Sequence, residues 1–129
     1  MDRELRILYV DDEADIRTIV EFALEDEAGF QLTLCESGQA ALETVADLSP
    51  DLILLDVMMP GMDGPTTLQR LREMPALADT PVVFVTAKVQ PHEVEHLKSL
   101  GAADVIAKPF DPMALAEQIR ATWDHSVSA

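Results

Sequence analysis

Short runs of contiguous apolar residues alternate along this chain with longer stretches in which apolar residues return every three or four positions. The runs are RILYV (6–10), LILL (52–55), PVVFV (81–85) and DVIA (104–107), while QLTLC (31–35) alternates polar and apolar as an edge strand does. A run without polar relief marks a strand covered on both faces. Between the runs, Ile16, Ile19, Val20, Ala23 and Leu24 fall on one helical stripe, with Gly29 placed to stop it. Ala41, Leu42 and Val45 mark a second helix behind a Ser37 cap. Leu68 and Leu71 mark a third, and Val94, Leu97 and Leu100 a fourth closed by Gly101. Asp111 followed by Pro112 reads as the cap and first residue of a fifth helix, with Ala116, Ile119 and Trp123 turned inward.

Strand and helix in unbroken alternation predict an α/β fold: a five-stranded parallel sheet with helices on both faces. No Pro/Ser-rich linker interrupts the 129 residues, so the chain reads as a single domain, 1–129. Its core should span about 5–123, with DHSVSA as a short polar tail.

Charge narrows the functions open to such a fold. Nine Lys and Arg against 24 Asp and Glu leave a net charge of −15, and the bases are scattered rather than clustered. Nucleic-acid and anionic-membrane binding draw on clustered bases, so neither is expected here. Cys35 stands alone, which excludes an internal disulfide and points to a reducing compartment. His92 and His96 are four residues apart but lack a third ligand, so they read as solvated surface. No apolar stretch approaches the ~20 residues that span a bilayer, and MDRELRILYV lacks the form of a signal peptide. A soluble, cytoplasmic protein is the expectation.

In open parallel sheets, ligands bind beyond the carboxyl ends of the strands. The first strand exits into Asp11, Asp12 and Glu13, the third into Asp56, the fourth into Thr86 and the fifth into Lys108. Each has an ordinary explanation when taken singly. Asp12 or Glu13 suits a helix N-terminus, Thr86 a helix cap, and Lys108 a solvated turn. Together they fall on one edge, which the ordinary explanations do not account for. Carboxylates brought this close repel one another unless a proton or a cation joins them. A hard, oxygen-preferring ion such as Mg²⁺ suits the donors. Lys108, two strands from Asp56 and so ~10 Å away, is expected to meet an anionic group attached to Asp56 more readily than Asp56 itself. A phosphoryl group fits. Asp56 is then the nucleophile, and the Pro/Gly turn after it is expected to leave the acid exposed. Asp11 and Asp12 hold Mg²⁺, while Thr86 and Lys108 bind phosphoryl oxygens.

The motifs VDDE (10–13), LLDVMMPGMDG (54–64), VTA (85–87) and KPF (108–110) occur in this order, each at a strand end. With them the chain resembles the receiver domain of two-component response regulators over essentially its whole length. The resemblance implies a flavodoxin-like fold with strand order 2-1-3-4-5. It implies that Asp56 takes a phosphoryl group from the phosphohistidine of a histidine kinase or a histidine phosphotransfer protein. It adds the backbone carbonyl of Met58 to Asp12 and Asp56 as Mg²⁺ ligands, with Asp11 acting partly through water. It further implies a cis Lys108–Pro109 bond, Met58 and Lys88 flanking the acceptor, and a switched face of fourth helix, fifth strand and fifth helix. Such a domain is a phosphoacceptor that assists its own phosphorylation, not an enzyme acting on a separate substrate. One departure stands out: the family places Tyr or Phe three residues before the lysine, and here that residue is Val105.

Two rival readings lack a needed feature. An aspartate-nucleophile phosphatase of the haloacid dehalogenase type carries a D-x-D motif after its first strand, whereas Asp56 is followed by Val57 and Met58. A flavodoxin-like mononucleotide carrier needs a Ser/Thr/Gly-rich loop after strand one, and DDEAD occupies that place.

Overall fold

Leu52 to Leu55 lie in the middle strand of a five-stranded sheet, each at most 1% exposed. The structure, a computed structural model, describes residues 4–25, 27 and 29–128. The strands are β1 (Leu5–Val10), β2 (Phe30–Cys35), β3 (Leu52–Asp56), β4 (Val82–Thr86) and β5 (Asp104–Ala107). The helices are α1 (Ala14–Leu24), α2 (Gly38–Leu48), α3 (Gly64–Arg72), α4 (Pro91–Ser99) and α5 (Leu115–Ser128). Every strand pairing is parallel, in the order β2-β1-β3-β4-β5. That is the architecture and order expected from the sequence and its resemblance. Among the described residues, no helix is long and apolar enough to cross a membrane.

Period-two alternation along the strands feeds two cores. Ile7, Tyr9, Leu52, Leu54, Val83 and Val85 pack with Val20 and Leu24 of α1 and Leu115 and Ile119 of α5. Leu8, Val10, Ile53, Leu55 and Phe84 pack on the opposite face with Ala41 and Val45 of α2, Leu68 and Leu71 of α3 and Leu97 of α4. Val105 packs, partly buried, against this second core.

Several helix details differ from the sequence reading. α1 ends at Leu24, well before Gly29, because Leu24 is the last residue of its stripe to reach the core. Gly29, at φ +95°, turns the chain into β2, and its carbonyl accepts the Leu5 N–H at 2.6 Å. α5 begins at Leu115 rather than at Pro112. Asp111 does act as a local acceptor, taking the Met113 N–H on Oδ1 at 2.9 Å, but this closes a turn ahead of the helix. Leu100 is 41% exposed, past the end of α4, and Trp123 is only half-buried. Ser37 caps α2 as expected, its side chain accepting the Ala40 N–H at 3.0 Å.

Parallel register brings the functional ends together. Val10 pairs with both Cys35 and Leu55, Asp56 with Val85, and Thr86 with Ala107. The residues next in line are therefore Asp11 and Lys108, on the same edge as Asp56 and Thr86. The chain leaves β1 toward β2 and leaves β3 toward β4, so the crevice between β1 and β3 is the switch point of the sheet.

The loop after Asp56 is tightly specified. Gly61 sits at φ +76°, a conformation that side chains disfavour. Asp63 caps α3 by accepting the Thr66 N–H at 2.9 Å, and the Gly64 N–H donates to the Val57 carbonyl at 2.9 Å. A Cβ on Gly64 would overlap the Asp56 carbonyl oxygen and lie 2.9 Å from Val57 Cα, backbone atoms that cannot swing aside. Gly64→Ala should therefore destabilise the domain by about 1–3 kcal/mol in urea unfolding. Unchanged stability would show that this loop has slack.

Candidate functional site

Asp11 and Asp56 are buried, at 0% and 4% exposure, while Asp12 on the loop beyond β1 is exposed. One carboxylate oxygen from each of the three lies within 4.8 Å of the others. The Lys108 ammonium sits 2.9 Å from Asp11 Oδ2, 3.3 Å from Asp56 Oδ1 and 3.6 Å from Glu13 Oε1. This corrects the expectation that Lys108 meets a group attached to Asp56 more readily than Asp56 itself. β4, which it must cross, ends in the short Thr86, and the Lys108 N–H is pinned to the Thr86 carbonyl at 2.8 Å. The stem therefore runs over β4, and the Asp56 side chain closes the rest of the gap. The same packing corrects the expectation of an exposed acid. Met58, two residues on, is the exposed one, at 65%.

The ordinary explanations fare unevenly in the structure. Glu13 is the N-cap residue of α1 without a side-chain hydrogen bond, so an acid does stand at the positive end of that helix. α4 begins behind Gln90, not Thr86. The Lys108 side chain is 13% exposed and is not a solvated turn residue. The Lys108–Pro109 bond is cis, as the resemblance implies. His92 and His96 lie exposed on α4.

Electrostatics follow from this burial. The Asp56 carboxyl is pushed up from 3.8 to about 6, by burial first and then by the neighbouring Asp11 charge, with Lys108 pulling the other way. Burial opposes the charge on Lys108, but hydrogen bonds and ion pairs with Asp11 and Asp56 outweigh it and raise the ammonium's pKa. One ammonium does not balance three carboxylates. The donors are all hard oxygens, and that set fits Mg²⁺ rather than a softer ion.

The Thr86 hydroxyl, 4% exposed, accepts the Lys88 N–H at 3.1 Å, which leaves its own proton as the donor available to the site. Two contributors were not singled out in the sequence. The Tyr9 hydroxyl donates to Asp11 Oδ2 at 3.1 Å, and Arg17 donates to the Asp11 carbonyl at 2.7 Å. Tyr9 carried a signal, being a polar-tipped ring two residues before Asp11 and so on the same face of the strand. Nothing in its spacing distinguishes Arg17 from other bases of amphipathic helices.

A five-stranded parallel sheet of this order, with acids, hydroxyl and lysine at its carboxyl edge, defines a receiver-type domain. Residues 7–120 match the response regulator receiver domain, and the chain belongs to that family. It is 40% identical over 115 residues to the phosphate regulon transcriptional regulatory protein PhoB of Pseudomonas aeruginosa, covering 89% of this chain and 50% of PhoB. The chain thus spans about half the length of the curated relatives it matches. The chemotaxis response regulator CheY4 of Vibrio cholerae superposes with a TM-score of 0.85 at 29% identity, covering 92% of this chain and 98% of that one. The signal receiver domain of a signal transduction histidine kinase from Syntrophus aciditrophicus gives 0.79 at 32% identity, covering 93% and 90%. The chain is therefore a response regulator receiver domain of two-component signalling.

The raised Asp56 carboxyl has a consequence for stability. It holds its proton more tightly in the folded than in the unfolded chain. Its contribution is therefore fully present below 3.8 and is lost as pH rises through about 6. In metal-free buffer at pH 7, Asp56→Asn should exceed the native protein in stability by about 1–3 kcal/mol. The gap should close as pH falls from 6 to below 3.8. Urea unfolding across this range checks it, and a pH-independent difference would contradict the electrostatic origin.

Proposed function

We propose that Asp56 is the phosphoacceptor of this receiver domain and that the domain switches through the loop between β4 and α4. The observation that carries the reading is the Lys108 ammonium lodged between Asp11 and Asp56. A buried cation at the mouth of a carboxylate cluster is where phosphoryl oxygens on Asp56 would find their counter-charge. Asp11, Asp12, Asp56 and the backbone carbonyl of Met58 would hold Mg²⁺, which supplies charge neutralisation for a phosphoryl group in transfer.

In this reading an Asp56 carboxylate oxygen attacks phosphorus. The new O–P bond forms as the N–P bond of a phosphohistidine breaks, and the departing imidazole keeps the electron pair. Ionised Asp56 is required, and above about 6 it is mostly ionised even without a cation. Lys108 shifts from the carboxylates to one phosphoryl oxygen, and the Thr86 hydroxyl donates its proton to another. The domain assists its own phosphorylation and does not turn over a separate substrate. Its donor is a histidine kinase or a histidine phosphotransfer protein. The surplus of acids argues against direct nucleic-acid contact by this domain, and we place it in the cytoplasm on its lone cysteine.

The bond from the Lys88 N–H to the Thr86 hydroxyl supports the switching route, because a Thr86 side chain that turns inward takes the start of the next loop with it. That loop leads into α4 at Pro91. The Lys108 N–H on the Thr86 carbonyl links the exit of β5 to the same movement. Val105 has no ring to swing, so the Thr86 loop carries the signal to the face of α4, β5 and α5.

Acetyl phosphate with Mg²⁺ should add one phosphoryl group to the intact protein, read by mass spectrometry. Labelling should vanish in Asp56→Asn and in excess chelator, and stoichiometric labelling of Asp56→Asn would assign the acceptor elsewhere. Backbone amide NMR with beryllofluoride tests the switch. Shifts should extend through residues 87–100 in the native protein and contract to the immediate site in Thr86→Ala. Equal distant shifts in both proteins would put the coupling on another path.

A further inference from the structure

The Asp11 carboxylate is held by more donors than any other acid of the cluster. Its Oδ1 accepts the Glu13 N–H at 2.9 Å. Its Oδ2 accepts both the Lys108 ammonium at 2.9 Å and the Tyr9 hydroxyl at 3.1 Å. A carboxylate oxygen has room for two donors, and Lys108 and Tyr9 fill both places on Oδ2. The pairing acquires a use once Lys108 has to move.

We propose that Tyr9 is a positioning residue for Lys108: its hydroxyl keeps the buried Asp11 oxygen hydrogen-bonded when the ammonium leaves for a phosphoryl oxygen on Asp56. The inference rests on Asp56 being the phosphoacceptor, as argued above. With Lys108 in place Asp11 is 0% exposed, so its Oδ2 depends on donors that the protein itself supplies. A buried carboxylate oxygen left with no partner pays its full desolvation cost. With Tyr9 in place, that oxygen always retains one donor, and the site's preference for keeping Lys108 on Asp11 is weakened.

The tyrosine is suited to this role by its fixity. Its side chain is fully buried in the core beneath α1 and α5, so the hydroxyl cannot follow Lys108. Burial, and then the Asp11 charge, raise the phenol's pKa and keep it a donor at neutral pH. In the proposed function Lys108 leaves the carboxylates only for a phosphoryl oxygen, while Mg²⁺ draws on Asp12, Asp56 and the Met58 carbonyl besides Asp11. Removing the hydroxyl should therefore separate the two affinities.

Tyr9→Phe keeps the ring that fills the core and deletes only the donor. Mg²⁺ affinity and beryllofluoride affinity at saturating Mg²⁺ are measured by calorimetry on native protein and variant, alongside the rate of labelling by acetyl phosphate. The variant should bind Mg²⁺ within about twofold of native and beryllofluoride roughly three- to tenfold more weakly, with a matching loss in labelling rate. Damage to the fold or to the acid cluster would lower both affinities together, and that result overturns the proposal. Equal beryllofluoride affinity in the two proteins also overturns it while leaving Asp56 as acceptor. Native protein that binds no beryllofluoride and takes no label removes the phosphoacceptor reading and this inference with it.

Discussion

Three carboxylates and one ammonium share the carboxyl edge of the sheet, and the charges do not balance. Asp11, Asp12 and Asp56 approach within 4.8 Å, with Lys108 against two of them. Like charges this close are tolerated only if a proton, an ammonium or a metal ion intervenes. Lys108 supplies one charge, and the Asp56 carboxyl is raised by burial first and then by the Asp11 charge. The site is thus incomplete as a protein-only structure, and its chemistry follows from what completes it. A divalent cation would restore balance, and in the proposed function a phosphoryl group then gives Lys108 a second place to go.

The fold holds this imbalance without relaxing it. β3 carries Asp56 out of the most hydrophobic run in the chain, which fixes its backbone at the buried centre of the sheet. Gly64 packs on the backbone of Asp56 and Val57 from the far side. Asp11 is held on both oxygens and on its own carbonyl, by Glu13, Tyr9, Lys108 and Arg17. Preorganisation of this kind leaves little to rearrange when a ligand arrives. The partner proposed to move is Lys108, whose backbone is anchored on the Thr86 carbonyl.

Much of this was legible in the order of residues. An unbroken run such as LILL has no stable place except a central strand, and five such units with helical stripes between them admit few arrangements. Because parallel strands end on one edge, the residues after each run identified Asp11, Asp12, Asp56, Thr86 and Lys108 before any coordinates. The strand order came from family resemblance, since hydrophobic pattern does not say which strand neighbours which. The direct Lys108 ion pairs were misjudged because they depend on a short residue, Thr86, lying under the lysine stem. Burial of Asp56 was misjudged because a Pro/Gly turn exposes its own residues, here Met58, rather than the acid before it. Helix ends at Leu24 and Leu115 were missed because capping residues mark places where a helix can stop or start, while the core decides where it does.

Relatives of this domain differ in what accompanies it. PhoB of Pseudomonas aeruginosa is about twice as long as the matched segment, whereas CheY4 is matched over 98% of its chain. The matched part is the receiver domain, and the account of it stands or falls at the charged edge. Carbon NMR of the Asp56 carboxyl, titrated with and without Mg²⁺, tests it most directly. The account predicts a midpoint near 6 in metal-free buffer, displaced to lower pH when Mg²⁺ is added. A midpoint at the ordinary 3.8, indifferent to Mg²⁺, would contradict it.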